Sequence, residues 1–377
     1  MYNTFRRLDR SFGKIIYCFR RLFASRLGEP NKKTKIKKIL CIKLWGLGNL
    51  VVIYPLVLKI KEKFPDAKLI FLTLDLNKGL LENNEAVDMV IYFNFPKNVF
   101  HIIKQFYSVL IALREEKIDL VINFEIFNTT SAFFSYLIQA TLRIGLYNKY
   151  AKIFYTHSVV HDGSKHISEK FTALLEPLGI ISKYTYSHLA GTDKDRNKID
   201  YILKQHRIHE FFCIHPGTSN NFKGKRYQKN CFAELASRFI LEQQVSVFFI
   251  GKDGENRLAG EIIKMLPAKC NAFDLTNQLT ISELVELLRR SRLFFSNDTG
   301  PVHIAASLGI NVAVVYGPTS PQNYRPLNAN SLIFYNNCPC SPCVGVSYTN
   351  KRCTHGFECL DFSPTEIHAA ISQKFFA

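Results

Sequence analysis

Short apolar runs alternate with segments of helical periodicity along most of this chain. Ile39-Leu40-Cys41-Ile42-Lys43-Leu44 reads as a buried strand, and Trp45-Gly46-Leu47-Gly48-Asn49 follows it as a glycine turn. A helix carrying Pro55 comes next, then strands at 68–73 and 89–93, a helix over 99–116 and a strand at 120–124. Residues 191–210 are polar and charged, which places a crossing between domains there. The pattern then restarts: a strand at 211–215, the loop Pro216-Gly217-Thr218-Ser219-Asn220, a helix over 228–243 and a strand at 245–250 leading into Gly251-Lys252-Asp253-Gly254-Glu255. Thr280 and Glu283 have capping-box spacing for a helix ending near Arg290. Two successive βαβ patterns predict an α/β protein of two doubly wound domains, with ligands at the carboxyl ends of the strands and in the cleft between domains.

One junction carries the most chemistry. Ser296-Asn297-Asp298-Thr299-Gly300-Pro301-Val302-His303 lies between the apolar run 293–295 and the small-residue run 304–306, so a strand ends, turns and starts a helix. Asp298 or Thr299 can cap that helix, Gly300 permits close approach, and Pro301 suits the first helical position. The free N–H groups and helix dipole then face an anion. Gly309 ends the helix, and a strand at 312–316 leads into Gly317-Pro318-Thr319. An ordinary strand-to-helix turn has the same local residues, so its partners elsewhere in the chain decide between the two.

The chain has 377 residues and a formal charge of +18. That charge invites a nucleic-acid reading, but residues 1–38 alone hold twelve Lys/Arg against two Asp/Glu. Phe5, Leu8, Phe12, Ile15, Ile16, Phe19, Leu22 and Phe23 recur at helical spacing, with Arg6, Arg7, Arg10, Lys14, Arg20 and Arg21 opposite them. This basic amphipathic helix suits an anionic bilayer surface, a transit peptide or docking on its own domain, and it lacks the apolar core and cleavage site of a secretory signal. No apolar run approaches the roughly 18 residues of a spanning helix.

Three blocks, in order, resemble the bacterial heptosyltransferase family of glycosyltransferases. Ser296 to Thr319 resembles the family's Asp-Thr-Gly-x-x-His turn and its Gly-Pro-Thr loop, and His215-Pro216-Gly217-Thr218 with Lys225-Arg226-Tyr227 resembles a second block. Trp45 to Asn49 with Pro55 resembles the N-terminal glycine turn. The resemblance implies a GT-B fold, two facing Rossmann-like domains, and a nucleotide-sugar donor, ADP-heptose in this family. Such a donor needs N–H groups and a cation for its departing diphosphate, for which Thr299, Gly300 and Lys225 are the candidates, with Lys223 competing. Thr218 and Ser219 either donate hydroxyls to phosphate or cap their loop. Asp253 or Glu255 holds the ribose hydroxyls, and His303 either reaches phosphate or sugar or packs in the core.

Many family members carry an Asp after the glycine turn as general base, and that position is Asn49 here. An amide is no base near neutral pH, so the expected base is Glu125, after the strand 120–124, with Asn49 orienting the acceptor. No Asp-x-Asp motif falls at a fitting loop, so no divalent metal or other cofactor is expected for transfer. Cys340, Cys343, Cys353 and Cys359 either close a structural zinc site or stay reduced, and disulfides are disfavoured without a secretory signal. The expected organisation is an arm and linker over 1–38, an acceptor domain over 39–195 and a donor domain with a cysteine-rich tail over 196–377. The expected activity is inverting transfer to a lipid-linked or lipopolysaccharide-type acceptor at the cytoplasmic face of the membrane, without nucleic acid. A nucleotide-sugar-binding protein without turnover is the alternative raised by Asn49.

Overall fold

The computed structural model describes residues 15, 18–19, 35–94, 98–126, 129–187, 189–268, 270–343, 353 and 355–376. The amphipathic arm therefore lies outside the described residues except for Ile15, Cys18 and Phe19, which are helical and exposed. The chain divides into two compact units between Thr185 and Tyr186.

The first unit runs β1 (Lys38–Ile42), α1 (Leu47–Lys63), β2 (Lys68–Leu74), β3 (Met89–Phe93), α2 (Val99–Glu115), β4 (Leu120–Asn123), α3 (Thr129–Leu137), β5 (Leu142–Leu146), β6 (His157–Val159) and α4 (Ile167–Ala173). Its strands form one parallel sheet in the order β3-β2-β1-β4-β5-β6. The second unit runs α5 (Asp193–Gln205), β7 (Phe211–His215), α6 (Lys229–Gln243), β8 (Ser246–Phe249), α7 (Asn256–Ile263), β9 (Ala272–Asp274), α8 (Ile281–Arg290), β10 (Leu293–Asn297), α9 (Gly300–Ser307), β11 (Asn311–Tyr316), α10 (Pro321–Tyr324), β12 (Ser331–Tyr335) and α11 (Pro364–Phe375). Its parallel sheet has the order β12-β11-β10-β7-β8-β9.

Both sheets thus follow the doubly wound order 3-2-1-4-5-6. The first strand of each unit has neighbours on both sides whose crossovers leave in opposite directions, opening a crevice at its carboxyl end. Ile39 to Ile42 and Phe211 to Ile214 are buried throughout, as strands covered by helices on both faces must be. The Thr280–Glu283 capping box forms, and Gly309 ends α9 at φ +73°, where a Cβ is disfavoured. Helix α1 is continuous through Pro55.

The polar stretch 191–210 is largely helix rather than crossing. Thr192 and Asp195 make a capping box for α5, Ser282 donates to Asp195 (2.7 Å), and Lys198 pairs with Glu283 (2.8 Å). These contacts hold α5 on α8, so the division falls at 185/186 and not at 195/196. Among the described residues no helix is long and apolar enough to cross a membrane.

Candidate functional site

In the second unit, β10 pairs with β7 so that Ser296 lies beside His215, and both chains leave the sheet at the same end. Asn297, fully buried, ties the departing segments together. Its Nδ2 donates to the carbonyls of Pro216 (2.9 Å) and Gly217 (3.3 Å), and its Oδ1 accepts from the Tyr227 N–H (2.8 Å). Lys225 is thereby brought to the β10–α9 turn, where its Nζ meets Asp298 Oδ2 at 2.6 Å, over the Phe222 ring. Thr319, from the loop after β11, donates to the same Oδ2 (2.6 Å). Burial alone pushes the Asp298 carboxyl up. The Lys225 ammonium, the Thr319 hydroxyl and His303 outweigh it, and the carboxyl sits below its ordinary value.

Asp298 is therefore spent on Lys225 and Thr319 and does not cap the helix. Thr299 occupies the N-cap position, yet its side chain makes no capping bond. Its hydroxyl instead meets His215 Nδ1 (3.0 Å) and Ser296 Oγ (3.0 Å). Pro301 brings no N–H and the Val302 N–H donates to the Thr299 carbonyl (3.3 Å), so with no side-chain cap the Gly300 N–H is the first-turn donor of α9 left to an anion.

The His215 ring extends this network to Glu255, its Nε2 lying 3.2 Å from Oε2, which also accepts from the Lys252 N–H (2.9 Å). Burial raises the Glu255 carboxyl, but His215 and the Lys252 N–H outweigh it and the group is held below its usual range. The other oxygen, Oε1, is buried with no hydrogen-bond partner among the described residues. A carboxylate oxygen in that state is ready for a hydroxyl-bearing ligand. The space exists because residue 217 is glycine: a Cβ there would stand 2.4 Å from the Glu255 carboxyl.

Of the two acids expected at a ribose, the structure brings Glu255 into this group, while Asp253 is exposed. Lys223 is likewise exposed and forms no ion pair among the described residues, leaving Lys225 as the cation at the turn. Thr218 is a loop clamp: its hydroxyl donates to the Phe222 carbonyl (3.2 Å) and accepts from Arg226 Nε (3.0 Å). Ser219 closes the same loop, its carbonyl accepting from the Phe222 N–H (2.8 Å). His303 is buried in the first turns of α9, with Nδ1 2.9 Å from the Tyr186 hydroxyl. His215, Asn297, Thr319 and Tyr186 had no assigned role in the sequence. Only the polar character of Asn297 at the end of an apolar strand marks it out there.

In the first unit, β1 pairs with β4 with Ile42 opposite Asn123, so Glu125 lies beside the glycine turn. Its Oε1 accepts from the N–H groups of Leu44 (2.6 Å) and Trp45 (3.1 Å), and its Oε2 pairs with the buried Lys43 ammonium (3.0 Å). Asn77 holds the turn from the other side through the Leu44 carbonyl (3.0 Å). Gly46 adopts φ +93°, which only glycine takes easily, and Asn49 follows as the third residue of α1, half-buried. Glu125 is thus engaged as the clamp of this turn.

Several of the C-terminal cysteines lie near one another. Cys338 and Cys340 approach to 3.4 Å between Sγ atoms, Cys359 is buried, and Cys353 accepts from the Phe357 N–H (3.3 Å). Among the described residues no group of three or more metal-ligating side chains is gathered, and residues 344–352 between Cys343 and Cys353 lie outside them.

Comparison with known proteins places the chain as a whole. The family model for glycosyltransferase family 9 (heptosyltransferase) matches residues 106–353. The chain is 26% identical over 305 residues to lipooligosaccharide heptosyltransferase 2 of Campylobacter jejuni subsp. jejuni, covering 79% of this chain and 86% of that protein. Among solved structures, a family 9 glycosyl transferase from Veillonella parvula aligns with a TM-score of 0.76 at 20% identity, over 92% of this chain and 98% of that one. The E. coli ADP-heptose lps heptosyltransferase II aligns with a TM-score of 0.74 at 18% identity, over 90% and 98%. These likenesses establish the GT-B-like α/β fold. With the family model covering about two thirds of the chain, from α2 through β4–β6 and the whole second sheet to the cysteine tail, the chain belongs to glycosyltransferase family 9, the heptosyltransferases.

Proposed function

We propose that this glycosyltransferase moves a heptose from ADP-heptose to a lipooligosaccharide- or lipopolysaccharide-type acceptor with inversion, at the cytoplasmic face of the membrane, to which the basic arm attaches it. The observation that carries the donor half is the Glu255-His215-Thr299 network ending at an uncapped helix: a buried, unpartnered carboxylate oxygen at one end and the Gly300 N–H beside Lys225 at the other. That pair suits a ribose hydroxyl and a diphosphate, and the names of the relatives supply the sugar. As the acceptor hydroxyl oxygen bonds to the anomeric carbon, the bond from that carbon to the β-phosphate oxygen breaks, ADP leaves with negative charge growing on its oxygens, and the hydroxyl's proton passes to solvent water. The Gly300 N–H at the positive end of α9 and Lys225 meet that charge, so the transfer needs no cofactor. At the other unit the Asn49 carbonyl oxygen accepts the hydrogen bond of the attacking hydroxyl and orients it, while Glu125 holds the turn that presents Asn49.

The test is a thermal-shift screen of nucleotide-sugars followed by transfer assays. ADP-heptose at about a hundred times its dissociation constant is expected to stabilise the protein by about 2.7 kcal/mol, more than UDP- or GDP-sugars at equal concentration. No shift with any ADP-sugar would overturn the donor assignment, and binding without turnover on any lipopolysaccharide-type acceptor would leave a donor-binding protein. Gly217→Ala probes the ribose end. Its methyl would push the Glu255 carboxyl aside, and ADP binding, read by calorimetry, is expected to weaken about tenfold while the first unit melts unchanged.

A further inference from the structure

Helix α2 is apolar on two sides. One side packs inward: Phe106 sits edge-on to Phe134 at 4.8 Å, and Val109, Leu110 and Leu113 are buried against the sheet. The other side is uncovered, with Phe100 81%, Ile103 59%, Tyr107 64% and Ile111 39% exposed. At about 100° per residue these four fall in an arc of about 80°, with Lys104 about 60° and Arg114 about 20° from its centre. Asn98 caps the helix through the Phe100 N–H (2.9 Å), so the stripe begins at a fixed end.

The chain leading into β1 meets the opposite end of α2. The Lys37 N–H donates to Asp119 (2.7 Å) and the Lys38 ammonium to Glu116 (2.7 Å), both in the loop that follows the helix. The segment that follows the arm thus enters the fold at that end of α2, and by sequence the arm carries most of the chain's excess positive charge and a second apolar stripe. Ile15 and Phe19, four residues apart on that second stripe, are 53% and 60% exposed. Both stripes are rimmed by cations, so packing the arm on α2, or α2 on its copy in a second molecule, would oppose like charges. The complementary partner is apolar inside and anionic at its surface.

We propose that the Phe100-Ile103-Tyr107-Ile111 face of α2 is a second contact with an anionic lipid bilayer, acting together with the arm. The bilayer buries the apolar stripe at head-group depth, with Tyr107 keeping its hydroxyl in the polar layer and Lys104 and Arg114 on acidic lipids. The inference rests on the membrane-side reading of the function, and donor binding is measured alongside to separate the two.

The experiment is flotation of the full chain with phosphatidylglycerol-containing phosphatidylethanolamine vesicles, against pure phosphatidylcholine. The wild type is expected to float with the first and weakly with the second. The Ile103→Glu/Tyr107→Glu double variant should lose about tenfold in bound fraction, with thermal midpoint and donor binding unchanged. Since acidic substitutions can disturb folding, Tyr107→Trp provides a second readout, its fluorescence shifting to the blue and quenched by brominated lipid. Equal flotation of wild type and double variant, or an unquenched Trp at 107, overturns the inference. So does a concentration-dependent dimer that the double variant abolishes. Loss of donor binding by the wild type itself would instead remove the functional reading beneath it.

Discussion

Replacing Glu125 with alanine is expected to lower the melting midpoint of the first unit by about 10 °C. The change leaves the Lys43 ammonium buried without its partner and strips the Leu44 and Trp45 N–H groups of their acceptor. Breaking a buried pair by removing one member costs about 3–5 kcal/mol, and a unit of this size loses roughly 2–4 °C per kcal/mol. The compensated change Lys43→Met/Glu125→Leu removes both charges and should recover most of the midpoint. Differential scanning calorimetry of the three proteins measures this directly. Glu125→Gln separates the clamp from a general base, since its amide cannot take a proton. A Glu125→Gln protein that melts like wild type yet has lost turnover, with donor binding intact, would make Glu125 the base after all. A lowered midpoint with turnover falling in proportion to the folded fraction supports the clamp.

Lys225→Ala is expected to cut turnover by about 10²–10³-fold, more than any other single change at the donor end. Two effects add there. The cation that meets the departing diphosphate is gone, and the Asp298 carboxylate, 10% exposed and 2.6 Å from Lys225 Nζ in the wild type, is left uncompensated beside that diphosphate. Adding Asp298→Asn to Lys225→Ala therefore should restore part of the donor affinity, because the amide keeps the bond to Thr319 without the charge. Steady-state kinetics with varied donor read both changes, kcat for the first effect and donor KM for the second. A Lys225→Ala enzyme within about threefold of wild type in both constants would remove Lys225 from the reaction.

The sequence marks strands wherever the centre of a sheet demands continuous apolar residues. Thus β1, β4, β7 and β10 are legible, being covered on both faces. The edge strands β6 and β9 have three residues each, and β5 carries Arg143, so neither length nor pattern announces them. Arg143 stays buried because its guanidinium donates to the Phe154 carbonyl (2.9 Å), a partner eleven residues away that no local pattern reveals. The polar stretch 191–210 misleads for a related reason: its buried face is small and its acids are satisfied by capping and by α8.

By itself the sequence determined the α/β class, the two successive doubly wound units, the strand-to-helix turn between β10 and α9 and the family resemblance. These rest on period, caps and residue order, all of which act over a few neighbours along the chain. Tertiary structure alone decided which polar residues answer one another. It set Glu255 and not Asp253 against His215, Lys225 and not Lys223 against Asp298, and Glu125 against Lys43 and the N–H groups of the glycine turn. Parallel pairing sets residues some 80 positions apart side by side, as with His215 and Ser296 or Ile42 and Asn123. A buried charge takes whichever partner that register supplies, because leaving it unpaired costs more than any local preference.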